Sequence, residues 1–280
     1  MIRLTRSRSS SAIKAKYRGG EKKQVDAKLL FAWRDYLKDS EKKVKFKSSF
    51  WKTAKDQLKK ETYGKCAYCE SNTQVVAYGD VEHYRPKSIY WWLAYTYDNY
   101  LYSCQICNQR YKSNHFPVGA HPYPEPVIEA NTSDAQIKQL AGNISPDPLD
   151  VEDNYTLQRY LNEHKTEKAY LLNPYLDDPT IYFAYEADDN LEEVSVVPTS
   201  ENFREFIEAA ENYYGINRIE LKNFRYRVFK NFRVLKKTYQ LLDQTGGDND
   251  LKLEIEEQIS EMLSGKYLFA GMNRYFDSRL

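Results

Sequence analysis

The 280-residue chain has no long apolar run, and this absence excludes whole classes of protein. No stretch reaches the roughly 20 apolar residues that a membrane-spanning helix needs. The basic N-terminal residues are not followed by an apolar segment, so no secretory signal is expected either. The sequence therefore predicts a cytoplasmic protein without membrane attachment, in a reducing compartment.

An excess of charge of either sign is also missing, because 41 Lys and Arg face 40 Asp and Glu and the formal net charge is +1. Net charge therefore favours no class of partner. Local charge is less even, since eight basic residues and one acid lie between residues 1 and 23. Such a segment can bind phosphates by releasing their counterions, or it can be a solvated, poorly ordered tail.

Apolar spacing and proline-rich loops divide the chain into three predicted regions. Residues 1–62 follow their basic start with helical spacing, as at Leu29, Leu30 and Trp33. Residues 63–118 hold all four cysteines. Residues 119–280 begin with a proline-rich loop and continue mostly as helices. The expected fold class is α+β and mostly helical.

The four cysteines form two Cys-x-x-Cys pairs, Cys66 with Cys69 and Cys104 with Cys107, and no cysteine is left over. In a reducing compartment such pairs are more often metal sites than disulfides. Four thiolates can close a tetrahedral structural zinc site, which contributes folding energy. We therefore predict one structural Zn²⁺ that joins the two segments. A pair of thiol redox motifs, or four buried cysteines, is the alternative.

Between the cysteine pairs an acid and a histidine are adjacent, at Glu82 and His83. A histidine alone is usually structural, but this one has a carboxylate beside it and a cysteine pair on each side. Asn99 follows, and Asn108 comes directly after the last cysteine. Histidine suits a general base because it titrates near neutral pH, and carboxylate and amide oxygens suit Mg²⁺.

Residues 66–117 resemble the HNH family of nucleases, which hydrolyse phosphodiester bonds of nucleic acid, mostly DNA. The resemblance implies a zinc-stapled ββα-metal core with N- and C-terminal helical regions around it. It implies His83 as the general base and Asn99 as the residue that holds the hairpin loop. It also implies Glu82 and Asn108 as ligands of a catalytic Mg²⁺ or Mn²⁺. This sequence has Asn108 where the family commonly has His, and Glu82 is a less usual acid than Asp.

Three cations near this group are predicted to hold the substrate backbone, although each could instead be an ordinary surface cation. Arg85 and Lys87 follow the histidine closely, and Lys112 lies about one helical turn beyond Asn108. His115 is an additional candidate metal ligand, two helical turns after Asn108 if the helix continues that far.

A weaker resemblance extends to the PtuB-like HNH nucleases of the Septu and retron anti-phage systems. It rests on residues 82–87, 171–174, 177–179 and 214–218, together with the asparagines named above. Members of that group act beside an ATPase, so the resemblance implies an anti-phage role and a PtuA-like ATPase partner. The chain itself has no Gly-x-x-x-x-Gly-Lys phosphate loop, so any use of ATP must come from another chain.

A non-catalytic module that binds nucleic acid or protein through its zinc knuckles is the alternative function. In that case Glu82, His83 and Asn108 have no reason to converge. The cations from Arg218 to Lys237 lie on one predicted long helix, either as a solvated face or as a surface for nucleic acid or a partner. Because the nuclease residues end by 116, the region after about residue 150 is predicted to serve docking more than chemistry.

Overall fold

The helices of the N-terminal region pack around aromatic side chains. The structure, a computed structural model, describes residues 1–73, 79–149 and 155–280. The first region holds α1 (Gly19–Lys38), α2 (Ser48–Trp51) and α3 (Lys55–Glu61). Trp33 of α1 stacks on Trp91 with 4.1 Å between ring centroids. The helical spacing predicted for this region is confirmed.

The basic N-terminal segment lies against the rest of the chain. Met1 and Leu4 are buried, and so is Arg6. The Arg6 guanidinium donates to the Glu61 carboxylate and to the main-chain carbonyl of Tyr100. A loose tail is therefore wrong for these first residues, and Arg6 and Arg8 are held by the internal acids Glu61 and Asp98. The remaining cations, such as the exposed Arg3 and Lys14, leave phosphate binding a prediction.

Two separate antiparallel hairpins are formed. The first pairs β1 (Asp80–His83) with β2 (Tyr100–Ser103), and the second pairs β3 (Phe183–Asp188) with β4 (Glu193–Pro198). In the first hairpin Glu82 lies opposite Leu101 and His83 opposite Tyr100. A short π helix, Ile106–Lys112, follows β2 directly, so strand, strand and helix occur in the predicted order.

The C-terminal region is mostly helical, as predicted. Its helices are α4 (Asp134–Leu140), α5 (Leu157–Glu167), α6 (Pro179–Tyr182), α7 (Arg204–Tyr214), α8 (Ile219–Thr245), α9 (Asn249–Leu263) and α10 (Ala270–Asp277). α8 ends at Gly246, whose φ of +62° costs a glycine little. Among the described residues, no helix has the length and apolar character needed to cross a membrane.

The largest hydrophobic cluster joins all three predicted regions. It contains Leu4 of the first region, Cys66 and Leu101 of the second, and Leu171 and Phe232 of the third. The division at residues 62 and 118 stays a prediction, but the chain on either side of each boundary shares this core. The hairpin β1–β2 is therefore supported by the C-terminal region.

Most cations of α8 are neutralised inside the molecule. Arg225 is only 2% exposed, so it belongs to the core and not to a surface. Four more reach acids of the second hairpin or of α10: Lys222 with Glu193, Lys230 with Glu192, Arg233 with Asp189 and Lys236 with Asp277. Arg227 and Lys237 are exposed and form no ion pair with a described residue. These pairings argue against α8 as a nucleic-acid or docking surface.

Candidate active site

Glu82 and His83 end strand β1 and are buried, at 4% and 7% exposure. A long loop follows β1, and Asn99 lies at its end, directly before β2. The Asn99 Oδ1 accepts from the Arg85 main-chain N–H at 2.8 Å, and its Nδ2 donates to the Arg85 carbonyl at 2.9 Å. Nδ2 also donates to the Leu93 carbonyl at 3.3 Å. Asn99 thus fixes the loop just beyond His83, which is the geometry that a loop-holding residue requires.

The tautomer of His83 follows from its contact with a main-chain carbonyl. Its Nε2 lies 3.0 Å from the oxygen of Ala94, which can only accept, so Nε2 carries the hydrogen. Burial, together with the Lys87 ammonium, lowers the pKa of His83 to about 3. The ring is therefore neutral near pH 7, and Nδ1 is left as its acceptor.

Two aromatic rings hold the imidazole in place. Trp51 meets it edge to face with 4.8 Å between ring centroids, and Tyr100 does so at 5.2 Å. The Tyr100 hydroxyl donates to the same Ala94 carbonyl at 2.8 Å. His83 therefore has little freedom to rotate, and its accepting nitrogen keeps one direction.

Glu82 faces a buried cation. The Lys112 ammonium lies 2.6 Å from Glu82 Oε1 and donates to the His83 main-chain carbonyl at 3.0 Å. The ion-pair distance is short, so Lys112 occupies this oxygen. Burial raises the pKa of Glu82 above its usual value, while Lys112 opposes this shift. A further cation would therefore bind the other carboxylate oxygen of Glu82.

The π helix lies against β1, because Gln109 donates to the Asp80 carboxylate at 2.9 Å and Lys112 reaches Glu82. Asn108 is half-buried, and its amide makes no hydrogen bond with a described residue. Its oxygen and the Glu82 carboxylate are hard donors of the kind that Mg²⁺ takes, with water and phosphate completing the shell. The donor types of these two residues therefore match a divalent cation of this type.

Arg85 does not reach the surface, and the prediction that it contacts substrate is wrong for this structure. Its guanidinium is fully buried and donates to Glu167 Oε2 from Nη2 at 2.6 Å and from Nε at 2.9 Å. A further bond goes to the Tyr160 hydroxyl at 3.0 Å, and Nη2 lies 3.1 Å from His164 Nδ1. Arg85 instead anchors the loop after His83 to helix α5.

The other predicted cations and His115 take different places. Lys112 is buried between Glu82 and the hairpin, so it is a neighbour of the site and not an exposed contact. Lys87 is half-exposed above the Trp51 ring and keeps access to solvent. The π helix ends at Lys112, so His115 is not on its continuation; its exposed ring lies beside Tyr213.

The four cysteines converge on one point. One sulfur from each of Cys66, Cys69, Cys104 and Cys107 lies within 4.8 Å of the others, and none is in a disulfide. Arg218 approaches this group, with Nη1 3.7 Å from the Cys107 sulfur. Tetrathiolate sets of this size fit zinc, so the predicted cysteine cluster is confirmed as a potential metal site.

Several groups of the site gave no signal in the sequence. The Ala94 carbonyl that fixes His83 is a main-chain atom, and Trp51 comes from a distant helix. Glu167 lies in a predicted helix with no visible link to Arg85. Helical patterns locate such side chains on an element but do not say which other element they meet.

The chain is similar to the Septu protein PtuB of Bacillus mycoides (strain KBAB4). The two are 28% identical over 249 residues, which cover 82% of this chain and 70% of that protein. No protein-family model matches the chain, and no solved structure matches it.

Proposed function

For this PtuB-like chain we propose the function of a metal-dependent HNH endonuclease that hydrolyses phosphodiester bonds of nucleic acid, with DNA as the expected substrate. The observation that carries the proposal is the state of His83. It is a neutral, buried imidazole whose Nε2–H is held by the Ala94 carbonyl, with Nδ1 as its acceptor nitrogen and the Glu82 carboxylate on the adjacent residue. A structural histidine needs no such neighbour.

In the proposed reaction His83 Nδ1 accepts a proton from the water that attacks phosphorus. Asn99 holds the adjoining loop, so the imidazole keeps its direction while the proton moves. Glu82 and Asn108 would hold the divalent cation. When bound, Mg²⁺ or Mn²⁺ neutralises charge on the phosphate and stabilises the leaving oxygen.

Lys112 has a place in this scheme that its sequence position did not suggest. Its ammonium balances the buried Glu82 carboxylate, which would otherwise be an isolated charge with a high desolvation cost. We expect Lys112 to keep Glu82 ionised and oriented, and thus to assist cation binding without contacting substrate.

The cysteine cluster is proposed to hold a structural zinc ion. Cys66 and Cys69 precede β1, while Cys104 and Cys107 join β2 to the π helix. A zinc ion there fixes the helix that carries Asn108 relative to the hairpin that carries Glu82. A closed tetrathiolate site leaves no open position for chemistry, so its role is stability.

An anti-phage role beside an ATPase is proposed from the likeness to the Septu protein PtuB. The chain has no phosphate loop of its own, in keeping with ATP use by a PtuA-like partner. Co-purification with the ATPase encoded beside this chain tests that part separately from cleavage.

The nuclease proposal is tested by incubating the protein with labelled DNA and RNA in the presence of Mg²⁺ or Mn²⁺, with and without the ATPase. Glu82→Gln should remove cleavage because it removes the only negative charge among the proposed ligands of the cation. The matched control is Asp80→Asn on the same strand, which should retain it. Absence of cleavage under every condition, or full activity of Glu82→Gln, would overturn the proposal.

A further inference from the structure

A second group of cations lies on the segment between α1 and α3 and differs from the cations of α8. Lys43, Lys45, Lys47 and Lys52 are all exposed. Within residues 1–73, 79–149 and 155–280, none of them forms an ion pair. On α8 four cations are paired with acids, whereas none of these four exposed lysines is paired.

This segment is joined directly to the base of the proposed reaction. Trp51, next to Lys52, packs its ring against His83 with 4.8 Å between centroids. Lys87, four residues after His83, holds its Nζ 5.5 Å from the Trp51 ring centroid. Positive charge therefore continues from the segment onto the loop beside His83.

A second contact fixes the other end of the segment. The main-chain N–H of Lys47 donates to the Tyr95 hydroxyl at 2.8 Å. Tyr95 follows Ala94, whose carbonyl holds His83. The lysines are thus tied at two points to the residues that position the imidazole, so their distance from it is set by the fold.

The surface between the lysines is a groove of about 330 Å³. Lys28, Lys45 and Lys47 line it together with Val44, Phe50 and Tyr95. Lys16 also places its Nζ 4.4 Å from the Phe50 ring centroid. Cations with aromatic rings between them are the combination that binds a nucleic-acid strand, since ammonium groups meet phosphates and rings meet bases or sugars.

We propose that residues 43–52 and Lys87 form the surface that guides the nucleic-acid backbone to His83. The inference rests on the proposed nuclease function and adds the track by which substrate arrives. Binding there is to phosphates, so it is independent of base sequence and strongly dependent on salt. This track takes the substrate-binding role that was predicted for Arg85 and considered for the cations of α8.

The test is a binding titration that involves no cleavage. In a His83→Ala background without added Mg²⁺, Lys45, Lys47 and Lys52 are changed together to Ala, and binding of fluorescein-labelled DNA and RNA is followed by anisotropy over a range of salt. The matched control changes three other exposed cations, Arg227, Lys237 and Lys266, to Ala. A charge-preserving triple, with Arg at the three track positions, separates loss of charge from loss of fold.

The track triple should weaken binding roughly tenfold or more and reduce the slope of log affinity against log salt by about 2 to 3, at about 0.9 per phosphate contact. The control triple and the Arg triple should bind as the parent does. Equal affinity and slope for the track triple overturn the track, even if the wild type cleaves. A weakened track triple in a protein that never cleaves upholds the track while the nuclease proposal fails.

Discussion

An asparagine side chain bonds to the main chain at each of the hairpins β1–β2 and β3–β4. The two hairpins differ in the charged groups that lie around them. At the first, the Asn99 amide bonds to both the N–H and the carbonyl of Arg85. At the second, the Asn217 amide does the same to Val196, with both bonds at 2.8 Å. An asparagine side chain can replace a neighbouring strand in this way because it carries a donor and an acceptor side by side.

The difference lies in the charged groups around each hairpin. Near β1–β2 the carboxylate of Glu82 and the imidazole of His83 are both buried, and a buried ammonium, Lys112, faces the carboxylate. Near β3–β4 the acids are exposed or half-exposed and face cations of α8, such as Asp189 with Arg233. Exposed pairs contribute little to stability, whereas buried titratable groups with spare atoms are typical of functional sites.

The largest expected effect concerns the cysteine cluster, which only the first hairpin has. Cys66→Ser should lose zinc and much of the folded population, because the cysteines lie in the core that joins all three regions and the bound ion contributes folding energy there. Elemental analysis and thermal unfolding measure both. Folded, active wild-type protein without zinc would contradict this account.

The next effect concerns the buried pair that anchors the loop after β1. Glu167→Gln leaves the Arg85 guanidinium without its anion and should cost about 3–5 kcal/mol of unfolding free energy. Asp189→Asn at the second hairpin should be close to wild type, because that carboxylate is solvated. Chemical denaturation measures the free energy of unfolding of each variant. Equal values for the two would show that the buried Arg85–Glu167 pair does not anchor the loop.

A smaller effect compares the two asparagines directly. Asn99→Ala strands a buried N–H and carbonyl of Arg85, at about 1–3 kcal/mol for each unsatisfied group. The same change at Asn217 should cost less, since Asn217 is half-buried whereas Asn99 is fully buried. Cleavage should fall with Asn99→Ala and persist with Asn217→Ala. A similar loss of cleavage in both variants would mean that Asn99 affects cleavage only through the global stability of the fold.

The smallest effect is a pH dependence. Because the pKa of His83 is lowered to about 3 in the folded chain, the unfolded chain binds a proton first as the pH falls below about 6.5. His83 therefore stabilises the fold above that pH, and this contribution is lost on acidification. Between pH 6.5 and 5 the wild type should lose about 2 kcal/mol more than His83→Gln, at about 1.4 kcal/mol per pH unit. If the stabilities of the wild type and His83→Gln changed in parallel with pH, His83 would have to be exposed to solvent in the folded protein.

The sequence predicted the elements that depend on local pattern. Cysteine spacing located the potential metal cluster. Helical spacing and Gly246 gave α8 and its end. Each of these features depends on residues close in sequence. Their spacing alone is enough to indicate a helix or a pair of metal ligands.

Long-range pairing explains what the sequence could not predict. Arg85 and Lys112 read as surface cations because nothing local shows that Glu167 and Glu82 will receive them. The cations of α8 read as a basic face because the acids that neutralise them come from β3–β4 and α10. The same reasoning missed residues 43–52, whose lysines are distinguished by forming no ion pair with a described residue.

The most direct test of the account is the single-turnover cleavage rate of His83→Ala beside that of His121→Ala, an exposed histidine. Both are measured with Mg²⁺ on the nucleic acid that the wild type cleaves. Loss of a general base predicts a rate lowered by about 10²–10⁴-fold for His83→Ala, with binding kept and His121→Ala unchanged. A rate for His83→Ala within about threefold of wild type would contradict the central claim, because general base catalysis is worth far more than that.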